Sequence, residues 1–262
     1  MFELPKTPQN MLVLFGLGIR LFQASFKVVL PTILMVALLS ILPSLFIENL
    51  FSSDQQLQAE AIASLMSMFP LQLALLLWLY AALFVQIVAF IRGHHLATRE
   101  ALSYVMPKLL VLYLACWIYA IGVALGLMVI ILGVLLMVSM VFFMPFVLFE
   151  NARIFNSLWH SHQLVWGYWW HSAGVLFVPM LAMFVGGLSL AGMGESLAYS
   201  LNASPEFALQ MAQIIYNVIS SFLTPFMVSI MVVLFHDLKL RRTGRSSLLS
   251  SHDDEGQHYF LA

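Results

Sequence analysis

Residues 109–149 form a run of 41 positions without one Asp, Glu, Lys, Arg or His. One bilayer crossing needs only about 20 helical residues, because a hydrocarbon core of about 30 Å is climbed at about 1.5 Å per residue. The run therefore reads as two spans, about 105–125 and 127–149, joined by a tight turn near Gly122-Val-Ala-Leu-Gly126. Four further apolar runs fit single spans, about 28–47, 69–91, 173–194 and 211–235, which makes six. Composition agrees: 62% of residues are hydrophobic and 9% charged, against roughly 25% charged in a soluble domain. A membrane β-barrel would alternate in polarity over segments of about ten residues. These runs are solidly apolar, so the chain reads as an all-α polytopic membrane protein. Residues 1–10 form its N-terminus, 11–238 a single membrane domain and 239–262 a flexible tail.

Charge gives the orientation. With six spans drawn, Lys6, Arg20, Lys27, Arg92, Arg99, Lys108, Arg153, Lys239, Arg241, Arg242 and Arg245 all fall on one side. Glu48, Asp54, Glu60, Glu195 and Glu206 fall on the other, with no Lys or Arg among them. The positive-inside rule makes the basic side cytoplasmic, with both termini there. Removing or adding one helix would scatter the charges across both faces. The opening MFELPKTPQN lacks a basic, apolar and small-residue cleavage pattern, so no removable signal peptide is expected.

A tandem repeat shows on the basic side. Short semi-polar stretches, about 11–26, 96–106 and 151–170, each precede a span with a proline near its start, Pro31, Pro107 or Pro179. The even-numbered spans end alike, in AFIR92, LFE150 and LFHD237. The pattern predicts three hairpins, each led by a cytoplasmic juxtamembrane amphipathic helix.

The third leader is the most distinctive. ENARIFNSLWHSHQLVWGYWWHSAG, 150–174, holds four of the six tryptophans and three of the eight histidines. Drawn as one helix over 151–170, it places Ile154, Phe155, Leu158, Trp159, Val165, Trp166 and Trp169 on one side. Arg153, Asn156, Ser157, His160 and Gly167 fall on the other. Indoles settle at the headgroup level, where the ring is buried and the N–H stays wet, so the segment reads as an interfacial helix. Trp159, Trp166, Trp169 and Trp170, with Arg153, then either anchor the fifth span or form a surface for lipid headgroups or a partner helix. Lys239, Arg241 and Arg242 lie directly against the membrane, where each can gain about 1 kcal/mol from anionic lipid or act as a stop-transfer flank.

Residues 150–167 and Trp169-Trp170, with the Ser157, Ser161, Leu164, Gly167 spacing, resemble YciC-like bacterial inner-membrane proteins. They are similar too to the membrane domain attached to some glycerophosphodiester phosphodiesterases. The closing TPFMVSIMVVLFHDLKLRRTG, 224–244, is similar to that family's last helix. The sequence departs in having His171 where the family more often has a base, and in lacking a phosphodiesterase domain after the last span. The resemblance implies a six-helix protein of the bacterial inner membrane with a part in envelope maintenance and no established chemistry.

Chemical signatures are few. Apart from Lys108 at the basic-side edge of the third span, no span contains an ionisable group of the kind that marks ion pathways, proton relays or intramembrane proteolysis. There is no H-E-x-x-H, G-x-S-x-G or P-loop pattern, so no enzyme activity is expected. Cys116 stands alone in an apolar run, and nothing in the spacing of the histidines converges on a metal. No cofactor and no nucleic-acid partner is expected; the partners expected are membrane lipids, anionic ones of the inner leaflet foremost, and other membrane proteins. The intramembrane polar residues are Gln72 and Gln86 on the second span and Asn217, Ser220, Ser221 and Thr224 on the sixth. They are expected to hydrogen-bond to one another between helices. The other use open to them is a solute site near Pro225, which would make the chain a facilitator for an uncharged or lipid-like substrate.

Overall fold

The computed structural model describes residues 2–46, 55–200 and 204–243. The end of the first span, Glu48, Asp54, Arg245 and the tail beyond 243 lie outside them. The described residues form helices joined by turns, and six helical segments among them, one of them bent, are long and apolar enough to cross a membrane.

Helix α1 runs unbroken from Met11 to Ile41, where the sequence reading divides a leader at 11–26 from a span at 28–47. Asn10 caps it by accepting the Val13 N–H at 2.9 Å. No breaker follows until Leu42, and Pro31 costs only the bond to one carbonyl a turn earlier. α2 (Gln55–Ile91) carries Pro70 within it and is the hub of the core. Ala81 to Ala89 are all buried, so neighbours surround that stretch on every side, as expected of a helix that is apolar all round. Phe84, Phe142, Phe235, Leu83, Ile87 and Ile230 are among its largest fully buried side chains.

The second leader is a short helix, α3 (Thr98–Val105), started by Glu100, which accepts the Ala97 N–H at 2.9 Å. A 3-10 turn at Met106–Lys108 containing Pro107 joins it to α4 (Leu109–Leu127). The 41-residue run does turn back near the expected place, at Met128 and Val129. Gly126 lies so close to Gly133 that an added Cβ would come within 3.0 Å of its backbone, so the turn needs a residue without a side chain. Gly122 has open space around it.

The fourth span is not one helix. α5 (Ile130–Ser139) and α6 (Phe143–Glu150) are separated by a bend at Met140–Phe142. α6 stops at Asn151, whose positive φ of 50° is tolerated by its short polar side chain, and the Ala152 N–H returns to the Phe146 carbonyl. The third leader, α7 (Ile154–Val165), precedes α8 (Trp169–Ser200) and α9 (Pro205–Thr243). α9 has 39 residues and is about 58 Å long, well beyond one hydrocarbon thickness. α1 packs along α9, with Phe22 against Phe226 and Gln210 donating to the Ser44 carbonyl at 3.3 Å. α8 lies on α9 through Gly187 and Gly194, which sit against Tyr216 and Ile215.

Candidate functional site

α7 departs from the helix drawn over 151–170 in length and in facing. It ends at Val165, and Trp166-Gly167-Tyr168 turn the chain into α8, with Gly167 at φ +94°, a conformation glycine adopts freely. Trp169 and Trp170 therefore open the fifth spanning helix and do not belong to the leader. The buried face of α7 is Ser157, Leu158, Ser161, Leu164 and Val165, while Phe155, Trp159 and Trp166 are exposed. The expected division grouped Leu158 and Val165 with the exposed aromatics and put Ser157 opposite. Two serines invert it because each satisfies its hydroxyl while buried. Ser157 Oγ donates to the Ile154 carbonyl at 2.7 Å. Ser161 Oγ donates to the Ser139 carbonyl at 2.9 Å and accepts the Phe142 N–H at 3.0 Å. The leader helix thus supplies two of the hydrogen bonds that the bend between α5 and α6 leaves open, and Tyr119 supplies a third by donating to the Met137 carbonyl at 2.9 Å.

A groove of about 690 Å³ lies between α7, the end of α6 and the last turns of α9. Trp159, His160, His162 and Trp166 line it from α7, Glu150 from α6, and Lys239 and Arg242 from α9. The Lys239 ammonium meets a Glu150 carboxylate oxygen at 2.6 Å and stands 4.7 Å over the Phe146 ring. Arg242 donates to the Trp166 carbonyl and so pins the turn that ends α7. The His162 ring sits between two indoles, 5.8 Å from Trp159 and 5.1 Å from Trp166. Its Nδ1 is buried with no hydrogen-bond partner among the described residues.

The remaining interfacial residues are placed elsewhere. Trp169 donates through Nε1 to the Leu135 carbonyl at 3.3 Å and meets Trp170 edge to face at 4.8 Å. Trp170 is 81% exposed. Arg153 is exposed at the N-cap of α7. Arg241 turns inward, with Nε 2.7 Å from Asp237 and an amino group 2.6 Å from the Gln9 carbonyl.

That contact belongs to a cluster that sequence reasoning missed. Asp237 is 1% exposed and accepts the Gln9 N–H at 2.7 Å, with His171 at 3.2 Å. His236 meets the Pro5 carbonyl at 2.7 Å. The i,i+4 spacing of Asp237 and Arg241 was a readable signal for the helix pair; its link to residues 5–9 was not.

The intramembrane polar residues do not pair as expected between the second and sixth spans. Gln86 accepts from Thr32 at 2.8 Å and donates to the Leu96 carbonyl at 3.3 Å, and Gln72 donates to the Leu39 carbonyl at 3.3 Å. On α9, Asn217 accepts from Gln213 at 3.2 Å, Ser221 donates to the Asn217 carbonyl at 2.7 Å, and Thr224 donates to the Ser220 carbonyl at 2.9 Å, all within the helix, while Thr224 also bonds across to the Tyr80 hydroxyl of α2. Hydroxyls four residues from a carbonyl find it without leaving their own helix. Among the described residues no group of three or more His, Cys, Asp or Glu is placed to hold a metal ion. Compared with protein-family models, curated proteins and solved structures, the chain has no match.

Proposed function

We propose that this is a non-catalytic YciC-like protein of the bacterial inner membrane, built as three tandem hairpins with both termini cytoplasmic, that organises membrane lipid or partner proteins in the envelope. The observation that carries the reading is the outward aromatic edge beside a basic helix end: Trp159, Trp166 and Trp170 are 58%, 55% and 81% exposed, and Lys239 and Arg242 stand next to the first two. Amphipathic rings and cations together suit an anionic inner-leaflet interface, where rings take the headgroup depth and cations the surface potential. The amphipathic character of the leaders belongs to the same reading.

Changing Trp159, Trp166 and Trp170 together to Leu tests it. The expected result is loss of co-purified anionic lipid or partner protein and a weakened envelope in cells carrying the variant. Unchanged lipid, partners and envelope would overturn it. The facilitator reading draws on a cavity of about 840 Å³ beside α3, lined by Trp78, Thr98, Arg99 and Met106. It has less support, because Gln72, Gln86 and the polar residues of α9 spend their hydrogen bonds inside the protein. Lipid or solute flux from reconstituted vesicles is the measurement that would favour it.

A further inference from the structure

We propose that the groove between α7 and the end of α9 binds one phosphate-bearing anion, and that Glu150 holds Lys239 as an internal competitor until the anion displaces it. The proposal rests on the lipid-facing reading above and narrows it to one site with one ligand chemistry. Lys239 and Arg242 are three residues apart, so they share a face of α9 and point one charge after another into the same groove. A phosphate takes a point charge from lysine and paired N–H groups from an arginine fork. Arg242 commits only one amino group to the Trp166 carbonyl, out of five N–H donors on the fork. His162 lines the groove with a buried Nδ1 that has no partner among the described residues. The volume of about 690 Å³ falls within the range of small-molecule sites.

Glu150 decides which anion. Its carboxylate, 2.6 Å from Lys239, already neutralises one of the two cations. A phosphomonoester carries about −1.5 to −2 charges near neutral pH, so it competes with a single carboxylate better than a phosphodiester does. The phosphate comes either from a lipid headgroup or from a soluble phosphate ester.

The test uses the full chain in phosphatidylcholine nanodiscs with phosphatidic acid titrated in, bound lipid being counted by native mass spectrometry. One phosphatidic acid per chain is expected, taken in preference to phosphatidylglycerol. Replacing Lys239 and Arg242 together by Gln weakens binding by about fivefold or more. Glu150→Gln tightens it, a direction that damage to the fold does not produce. Displacement by glycerol 3-phosphate assigns the site to soluble esters; failure of displacement assigns it to lipid. Equal binding by the wild type and the Lys239, Arg242 variant, or no tightening in Glu150→Gln, would overturn the proposal and leave the tryptophan reading standing. An intact anion site in cells whose envelope ignores the tryptophan changes would sink the broader reading alone.

Discussion

Ser161 is a small residue with a large share of the local architecture. Its hydroxyl serves the Ser139 carbonyl and the Phe142 N–H at once, so Ser161→Ala strands both groups in the core. A loss of about 1–3 kcal/mol is expected, with faster hydrogen exchange at the Phe142 amide, readable from melting in detergent and from exchange mass spectrometry. The serine was visible in the sequence as part of a spacing, but its partners were not: Pro145, which cannot bond to the Val141 carbonyl four residues earlier, marks a break in the run, yet nothing local says which helix will serve the groups it leaves open.

At the scale of elements, the three leaders join their spans in three ways. The first continues as one helix through Pro31, the second passes a 3-10 turn holding Pro107, and the third is cut at Gly167. Span number and rough position were legible because hydrophobic length is a summed property of twenty residues. The joints were not, because each is decided by one backbone conformation. Gly167→Val forces a β-branched residue into positive φ, at about 1–3 kcal/mol. It should release Arg242 from the Trp166 carbonyl and open the 166–168 turn to protease, with Gly167→Ala milder. The tip of α4 and α5 makes a second prediction. From Leu127 to Gly133 it has no polar side chain, and the Met128 and Val129 N–H groups bond within the turn, to Leu125 and Gly126. A turn that satisfies itself can stay in hydrocarbon. With Cys116 replaced by Ala, a cysteine at Met128 should react slowly with a membrane-impermeant maleimide, and one at Gln58 quickly from outside.

Across the described residues, the buried centre falls on the second half of α2, and residues 5–9 meet α9 at His236, Asp237 and Arg241. The apolar hub was readable in the uncharged run of residues 69–91. The meeting of residues 5–9 with α9 was not, since nothing local in Pro5 to Asn10 marks a partner more than two hundred residues away. Cysteines at Thr7 and at Gln58, in the same Cys116→Ala background, should label from opposite sides of the membrane; labelling from one side would refute the proposed orientation. The Gln9–Asp237 contact, with |i−j| of 228, also sets an order of events during synthesis. At about 5–20 residues per second the ribosome needs roughly 10–50 s to deliver the second partner after the first. For most of that interval α1 is complete, while Gly18 and Phe22 lack Ile230 and Phe226, against which they finally pack. The first helix can therefore meet α2 early, through Thr32 and Gln86, but meets α9 only at the end of synthesis, so a message truncated before α9 releases a product whose beginning, and not only its end, is unfinished.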